Sequence, residues 1–153
     1  MGRTDQVSRL INASPARIYN ALIDPSLRLQ WLPPTGMSAA FESFDLSVGG
    51  GYRMVLRYNE STDSPGKSSA DSDVVEATFK DIRVNERVVE EIQFESDDSA
   101  YSGRMTMTWN LESRENGTEV KIVAANVPRG ISAFDHEAGM NSSLENLARF
   151  LEK

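Results

Sequence analysis

Residues 102–127 (SGRMTMTWNLESRENGTEVKIVAANV) and 133–152 (AFDHEAGMNSSLENLARFLE) decide the fold, because the spacing of their apolar residues differs. In the first stretch every second residue is apolar from Met105 to Leu111, which predicts a half-buried strand over 102–112. Asn116-Gly117 is a strong hairpin signal and predicts a return strand over 118–127. The second stretch has one apolar stripe at spacings of three and four, which predicts a long amphipathic helix. That stripe consists of Met140, Leu144, Leu147 and Leu151.

Upstream of this stretch the sequence predicts five more strands and two short helices. The strands are predicted at 4–12, 39–47, 52–58, 73–84 and 87–95. Ser14-Pro15 is a good helix start, and Asp24-Pro25 interrupts that helix before a second one at about 25–32. Gly49-Gly50-Gly51 predicts a turn, and the polar residues 59–72 predict a mobile loop. Successive hairpins indicate an α+β fold, in which a seven-stranded antiparallel sheet curves round the C-terminal helix and the short helices lie between strands 1 and 2.

Composition excludes several kinds of site. The chain has no cysteine, which rules out disulfides, thiol catalysis and thiolate metal sites. Its net charge is −7, and its basic residues form no block, which argues against a nucleic-acid partner. No apolar run approaches the ~18 residues that cross a bilayer, and residues 1–6 do not read as a secretory signal. We therefore expect a cytoplasmic protein of one domain over 1–153, with no cofactor, no metal and no membrane insertion.

The ordered motifs resemble those of a known family. They are Ile11-Asn12-Ala13-Ser14-Pro15, Ala21-Leu22-Ile23-Asp24-Pro25, Trp31-Leu32-Pro33-Pro34, Phe44-Asp45, Val48-Gly49-Gly50-Gly51-Tyr52-Arg53-Met54, Met105-Thr106-Met107-Thr108-Trp109, Asn116-Gly117-Thr118 and His136-Glu137-Ala138-Gly139-Met140. The chain resembles the START-like (SRPBCC, helix-grip, birch-pollen-allergen type) superfamily. Within it, the chain is most similar to the branch named for the activator of heat-shock-protein-90 ATPase.

The resemblance implies a cavity between the sheet and the C-terminal helix. Members of the superfamily bind or process small, largely apolar molecules, and the eukaryotic namesake contacts its chaperone. Two positions depart from the usual pattern. Met140 stands where the family usually has Trp, and Ala124-Ala125-Asn126 stands where it often has His. Both positions lie near the cavity in relatives, so the ligand is expected to differ.

Glu90 and His136 are the residues with the most interesting chemistry. By alternation Glu90 shares the face of Val88 and Ile92, so it points into the cavity if that face is concave. A local bulge or a strand end in water would instead turn it outward. His136 is the only histidine, and both a pocket-mouth position and a solvated-turn position are open. Glu91 faces the other way from Glu90, so the two are not a catalytic carboxylate pair.

Our first hypothesis is a binding module for a small hydrophobic or amphipathic molecule. The predicted ligand-binding residues are Trp31, Tyr52, Met54, Phe79, Glu90, Ile92, Met107, Trp109, His136, Met140 and Leu144. The first alternative is an enzyme acting on a polyketide-like or aromatic ligand, with Glu90 or His136 as acid or base. The second is a stress-response protein that contacts a chaperone. A monomer and a homodimer are both compatible with the sequence.

Overall fold

The computed structural model of the chain describes residues 3–33, 36–58, 72–96 and 98–152. Its elements follow one another as β1 (Arg3–Ile11), α1 (Pro15–Ile23), α2 (Pro25–Arg28), β2 (Met37–Phe44), β3 (Gly51–Tyr58), β4 (Ser72–Arg83), β5 (Arg87–Phe94), a 3₁₀ turn (Ser99–Tyr101), β6 (Met105–Arg114), β7 (Gly117–Val127) and α3 (Ala133–Leu151). The fold predicted from the sequence is confirmed. Of the predicted mobile loop, residues 59–71 lie outside the described residues.

Several elements differ from the predicted boundaries, among them β6, which covers 105–114 where 102–112 was expected. The second helix ends at Arg28, because the next backbone bonds, such as Gln30 N–H to Leu27 O, close tighter turns. Strand β2 covers 37–44 and is followed by the turn that the three glycines predict. A 3₁₀ turn at 99–101 connects β5 to β6, and Asp98 caps it by accepting a hydrogen bond from Ala100 N–H.

The seven strands form one antiparallel sheet in the order β1-β7-β6-β5-β4-β3-β2. β1 and β2 are successive strands in the chain but lie at opposite edges of the sheet. The segment between them, which contains α1 and α2, therefore has to pass from one edge to the other. This crossing is what brings α2 over the middle of the sheet.

The apolar core lies between the helices and the face of the sheet that they cover, which we call the inner face. On α3 the predicted stripe of Met140, Leu144, Leu147 and Leu151 is buried, as expected. α3 packs most closely against β1, whereas α1 packs against α2 and β6. Toward the other edge, on β3 and β4, Tyr52, Met54 and Phe79 are buried. Other apolar side chains are only partly buried: Ala39, Phe41, Phe44 and Leu56 on β2 and β3, and Phe94 and Met107 on the central strands β5 and β6.

Candidate functional site

A charged pair lies in the centre of the molecule, where α2 meets the inner face. Arg28 is 1% exposed and Glu90 is 0% exposed. Their contact is bidentate: Nη1 donates to Oε2 at 2.7 Å, and Nη2 donates to Oε1 at 3.0 Å. Arg28 Nη1 also reaches the backbone oxygen of Leu22 at 3.3 Å. Two such parallel bonds fix the relative orientation of the planar guanidinium and carboxylate groups.

Tyr52 completes this central group. Its hydroxyl donates to Glu90 Oε1 at 2.9 Å and accepts from Arg28 Nη2 at 3.3 Å. Burial raises the pKa of Tyr52 above its usual range, and the Glu90 carboxylate raises it further, so the phenol stays protonated. Burial lowers the pKa of Arg28, but Glu90 and Tyr52 raise it by more, so the guanidinium stays charged. We call Arg28, Glu90 and Tyr52 the buried polar group.

Local sequence explains how Arg28 reaches this position. Asp24 caps α2 by accepting hydrogen bonds from the N–H groups of Ser26 and Leu27, and Pro25 occupies the first turn. The turn after α2 is held from both sides. Trp31 Nε1 donates to Ala21 O on α1, and α3 contributes Asn146, which donates to Trp31 O at 3.2 Å. α2 therefore has little freedom to rotate Arg28 away from the sheet.

Glu90 is placed by strand register. It lies directly between Phe79 on β4 and Met107 on β6, and its side chain points to the inner face. The register irregularity in this region falls between Phe79 and Asp81 on β4, so it does not turn Glu90 outward. Glu91 points to the outer face, where it lies 3.5 Å from Arg104. Of the two orientations that the sequence left open, the structure has the inward one.

Aromatic rings surround the buried polar group on the sheet side. Tyr52 stacks on Phe44 with ring centroids 5.8 Å apart, and Phe79 lies 5.9 Å from Tyr52. The Arg28 guanidinium carbon lies 5.1 Å from the Tyr52 ring centroid and 5.8 Å from that of Trp109. The cation is thus placed against two aromatic rings as well as against its carboxylate.

The structure places ten of the predicted ligand-binding residues around one core. Trp31, Tyr52, Met54, Phe79, Ile92, Trp109, Met140 and Leu144 belong to a single buried cluster, Met107 packs against it half-buried, and Glu90 is buried with them. Their role in binding a ligand stays a prediction. Two clefts of about 760 and 390 Å³ lie on the surface, and neither is lined by a predicted ligand-binding residue.

His136 lies elsewhere, where the first turn of α3 meets β1. Its Nδ1 is 2.9 Å from Asp5 Oδ2, and Arg3 Nε donates to the other oxygen of Asp5 at 2.8 Å. The hydrogen bonds from Arg3 hold the pKa of Asp5 below its usual range against the effect of burial, and His136 adds to this. His136 therefore joins helix to strand at the edge of the sheet. It makes no contact with the buried polar group among the contacts described for residues 3–33, 36–58, 72–96 and 98–152.

Arg28 is the residue that the sequence analysis missed. A carboxylate on an apolar strand face needs a buried cationic partner, and this requirement predicts that some Arg or Lys is buried beside Glu90. The sequence offers several arginines before β5, and nothing in the spacing distinguishes Arg28 from the others. Only the crossing of α2 over the sheet brings it to Glu90.

Neither a metal-binding cluster nor a membrane-spanning helix is found among the described residues. No cluster of three or more His, Asp or Glu side chains there has the proximity that a metal ion requires. None of the described helices combines the length and the apolar character needed to span a bilayer.

The chain is similar in sequence to one family and in structure to many proteins. The sequence model described as "Activator of Hsp90 ATPase homolog 1-like protein" matches residues 12–152. The protein CV1439 from Chromobacterium violaceum is 27% identical, with a TM-score of 0.87 over 98% of this chain and 97% of its own. Mll3558 from Rhizobium loti is 26% identical, with a TM-score of 0.74 over 99% and 98% of the two chains. No curated protein sequence matches the chain.

Proposed function

Because the chain belongs to the family of Activator of Hsp90 ATPase homolog 1-like proteins, we propose that it is a binding module for a small hydrophobic or amphipathic molecule. The molecule would lie between the inner face of the sheet and the helices. The observation that supports this most directly is the uneven cover of that face. α3 packs against β1, while Phe41 and Phe44 on β2, at the opposite edge, and Phe94 on β5 remain half-buried.

The buried polar group supports the same proposal. An ion pair removed from water contributes little net stability, and an apolar replacement of similar volume is often as good or better. The Arg28–Glu90 pair is almost completely desolvated, so stability alone is a weak reason for it. A polar anchor at the end of an otherwise apolar site is the usual arrangement by which proteins orient small ligands.

Native mass spectrometry of protein purified from its own host tests this proposal. We expect a small molecule bound in stoichiometric amount, which denaturing extraction then identifies. Loss of its mass and appearance of a product on incubation would instead identify the enzyme alternative. A protein that is empty and also takes up neither benzophenone nor diphenylmethane in solution would contradict the proposal.

A pair of variants on β6 locates the binding site. Met107 is half-buried on the inner face, and Thr108, the next residue, is half-buried on the outer face. Met107→Trp should reduce ligand uptake by filling the proposed space, whereas Thr108→Trp adds the same side chain on the opposite side. Equal effects of the two substitutions, in variants with unchanged circular dichroism, would place the ligand elsewhere.

The family description suggests a second function, contact with a chaperone of the Hsp90 class. The outer face offers an acidic surface for it, since Glu42, Glu76 and Glu95 all pair with the guanidinium of Arg53. Charged surfaces favour association that weakens with salt. Retention on immobilised chaperone at low salt, lost in the Glu42→Gln/Glu76→Gln variant, would support this function. No retention at low salt would exclude it.

A further inference from the structure

Two hydrogen-bond donors, one in the buried polar group and one beside it, have no partner among the described residues. They are Arg28 Nε and Trp109 Nε1. Arg28 and Trp109 are each 1% exposed, and the guanidinium carbon lies 5.8 Å from the Trp109 ring centroid. Buried donors are nearly always paired in native proteins, because leaving one unpaired is costly. Two of them on neighbouring side chains indicate that an acceptor oxygen is missing from this part of the core.

The unpaired indole N–H is specific to Trp109, because the neighbouring Trp31 has a partner. Trp31 lies edge-on to Trp109 with ring centroids 5.7 Å apart and is equally buried. Its Nε1 donates to Ala21 O at 3.2 Å. The protein thus satisfies one of two adjacent indoles with its own backbone and leaves the other for a different acceptor.

The charges around these donors determine the kind of acceptor. The guanidinium is already neutralised by the bidentate Glu90 carboxylate, and the Tyr52 hydroxyl also donates to that carboxylate. An anionic ligand here would place a second negative charge beside Glu90 without a free cation in the group, and burying an unpaired charge is strongly unfavourable. A neutral oxygen, such as that of a ketone, ester or amide, meets no such penalty.

Resting on the proposed function, we infer that the bound molecule is a neutral, largely apolar compound with a carbonyl-type oxygen. That oxygen accepts hydrogen bonds from Trp109 Nε1 and Arg28 Nε. The apolar part of the molecule lies toward the half-buried side chains of the inner face, of which Met107 is adjacent in register to Glu90.

Three probes of nearly equal shape test this inference. Benzophenone has the carbonyl, diphenylmethane lacks it, and diphenylacetate replaces it with a carboxylate. Binding is measured by titration followed in ¹H–¹⁵N NMR spectra, where the chain's two indole N–H signals are assigned from Trp31→Phe and Trp109→Phe. We expect benzophenone to move the Trp109 indole proton downfield while the Trp31 signal moves less. We also expect diphenylmethane to bind about three- to ten-fold more weakly than benzophenone, and diphenylacetate to bind most weakly.

The outcomes separate this inference from the proposed function. Equal affinity for benzophenone and diphenylmethane, with no downfield shift, overturns the carbonyl inference and leaves the binding module standing. Tightest binding of diphenylacetate overturns the neutral-ligand inference alone. Failure of all three probes, together with an empty protein from its host, contradicts the proposed function itself.

A bound water offers the same acceptor oxygen, and water-selective NMR distinguishes it. A cross-peak from water to the Trp109 indole proton that persists at saturation with benzophenone assigns the acceptor to water and overturns the inference. Its disappearance at saturation supports displacement by the ligand. Trp109→Phe gives a second measure: it should reduce the preference for benzophenone over diphenylmethane by removing one of the two donors, whereas a purely packing role would weaken both equally.

Discussion

Replacing Glu90 with leucine tests whether the Arg28–Glu90 pair behaves as a buried unit. The change removes the acceptor of three hydrogen bonds, from Arg28 Nη1, Arg28 Nη2 and Tyr52 Oη. Among the described residues, it leaves the fully buried Arg28 cation with the backbone oxygen of Leu22 and the Tyr52 hydroxyl as hydrogen-bond partners. Breaking a buried pair from one side typically costs about 3–5 kcal/mol. Since a domain's whole stability is about 5–15 kcal/mol, this loss is large.

The assay is urea unfolding followed by tryptophan fluorescence and circular dichroism, on Glu90→Leu, Arg28→Met and the double variant. Glu91→Leu is the matched control, because Glu91 is the next residue on the same strand and faces outward. We expect Glu91→Leu to stay within about 0.5 kcal/mol of the parent. The double variant should be more stable than either single variant, because it leaves no unpaired buried charge.

Additive effects would refute this reasoning. If the double variant loses the sum of the two single losses, the two side chains do not depend on each other. A Glu90→Leu variant that is as stable as Glu91→Leu would likewise show that Arg28 finds another partner or water.

Four further substitutions test contacts and backbone positions outside the buried polar group. Asp5→Asn should lower the free energy of unfolding by about 1.5–3 kcal/mol at pH 7, because Asp5 accepts charge-assisted bonds from Arg3. Because the folded-state pKa of Asp5 is lowered from 3.8, the difference between the two proteins is fully present above that value. It shrinks as the pH falls through the lower folded-state pKa; chemical unfolding at pH 7 and pH 3 measures it, and a constant difference would count against the assignment. Gly117→Ala should cost more than about 2 kcal/mol, since Gly117 has φ +142° and an added Cβ would overlap the backbone oxygen of Ile11. Gly139→Ala, on α3 with open space around its Cβ, should stabilise by about 0.5–1 kcal/mol; thermal unfolding compares the two, and equal effects would refute the backbone argument. Thr118→Val should cost about 1 kcal/mol by removing the bond from Thr118 Oγ1 to Ala13 O; an unchanged urea midpoint would show that this bond does not tie β7 to the chain before α1.

The local sequence pattern was sufficient to predict the helices and strands, but it did not predict the contacts of the candidate site. Alternation placed Met105, Met107 and Trp109 on one face, and the stripe of α3 was visible from Met140 to Leu151. The identity of the partner of Glu90 depends on a contact between residues 28 and 90, and periodicity carries no information about such a pairing. His136 illustrates the same limit, since its partner Asp5 lies 131 positions away in the chain.

The strand order also determines when the sheet can be completed during synthesis. β1 hydrogen-bonds within the sheet only to β7, with Ile11 opposite Thr118. During translation, β1 therefore has no pairing partner until residues 117–127 have been synthesised. At about 5–20 residues per second that interval is roughly 5–20 s. Throughout it residues 3–11 lack the strand that pairs with them in the folded sheet, so their backbone N–H and C=O groups can be bound by chaperones or by other nascent chains. Pairing of β1 in the sheet thus depends on β7, which is encoded in the last third of the chain.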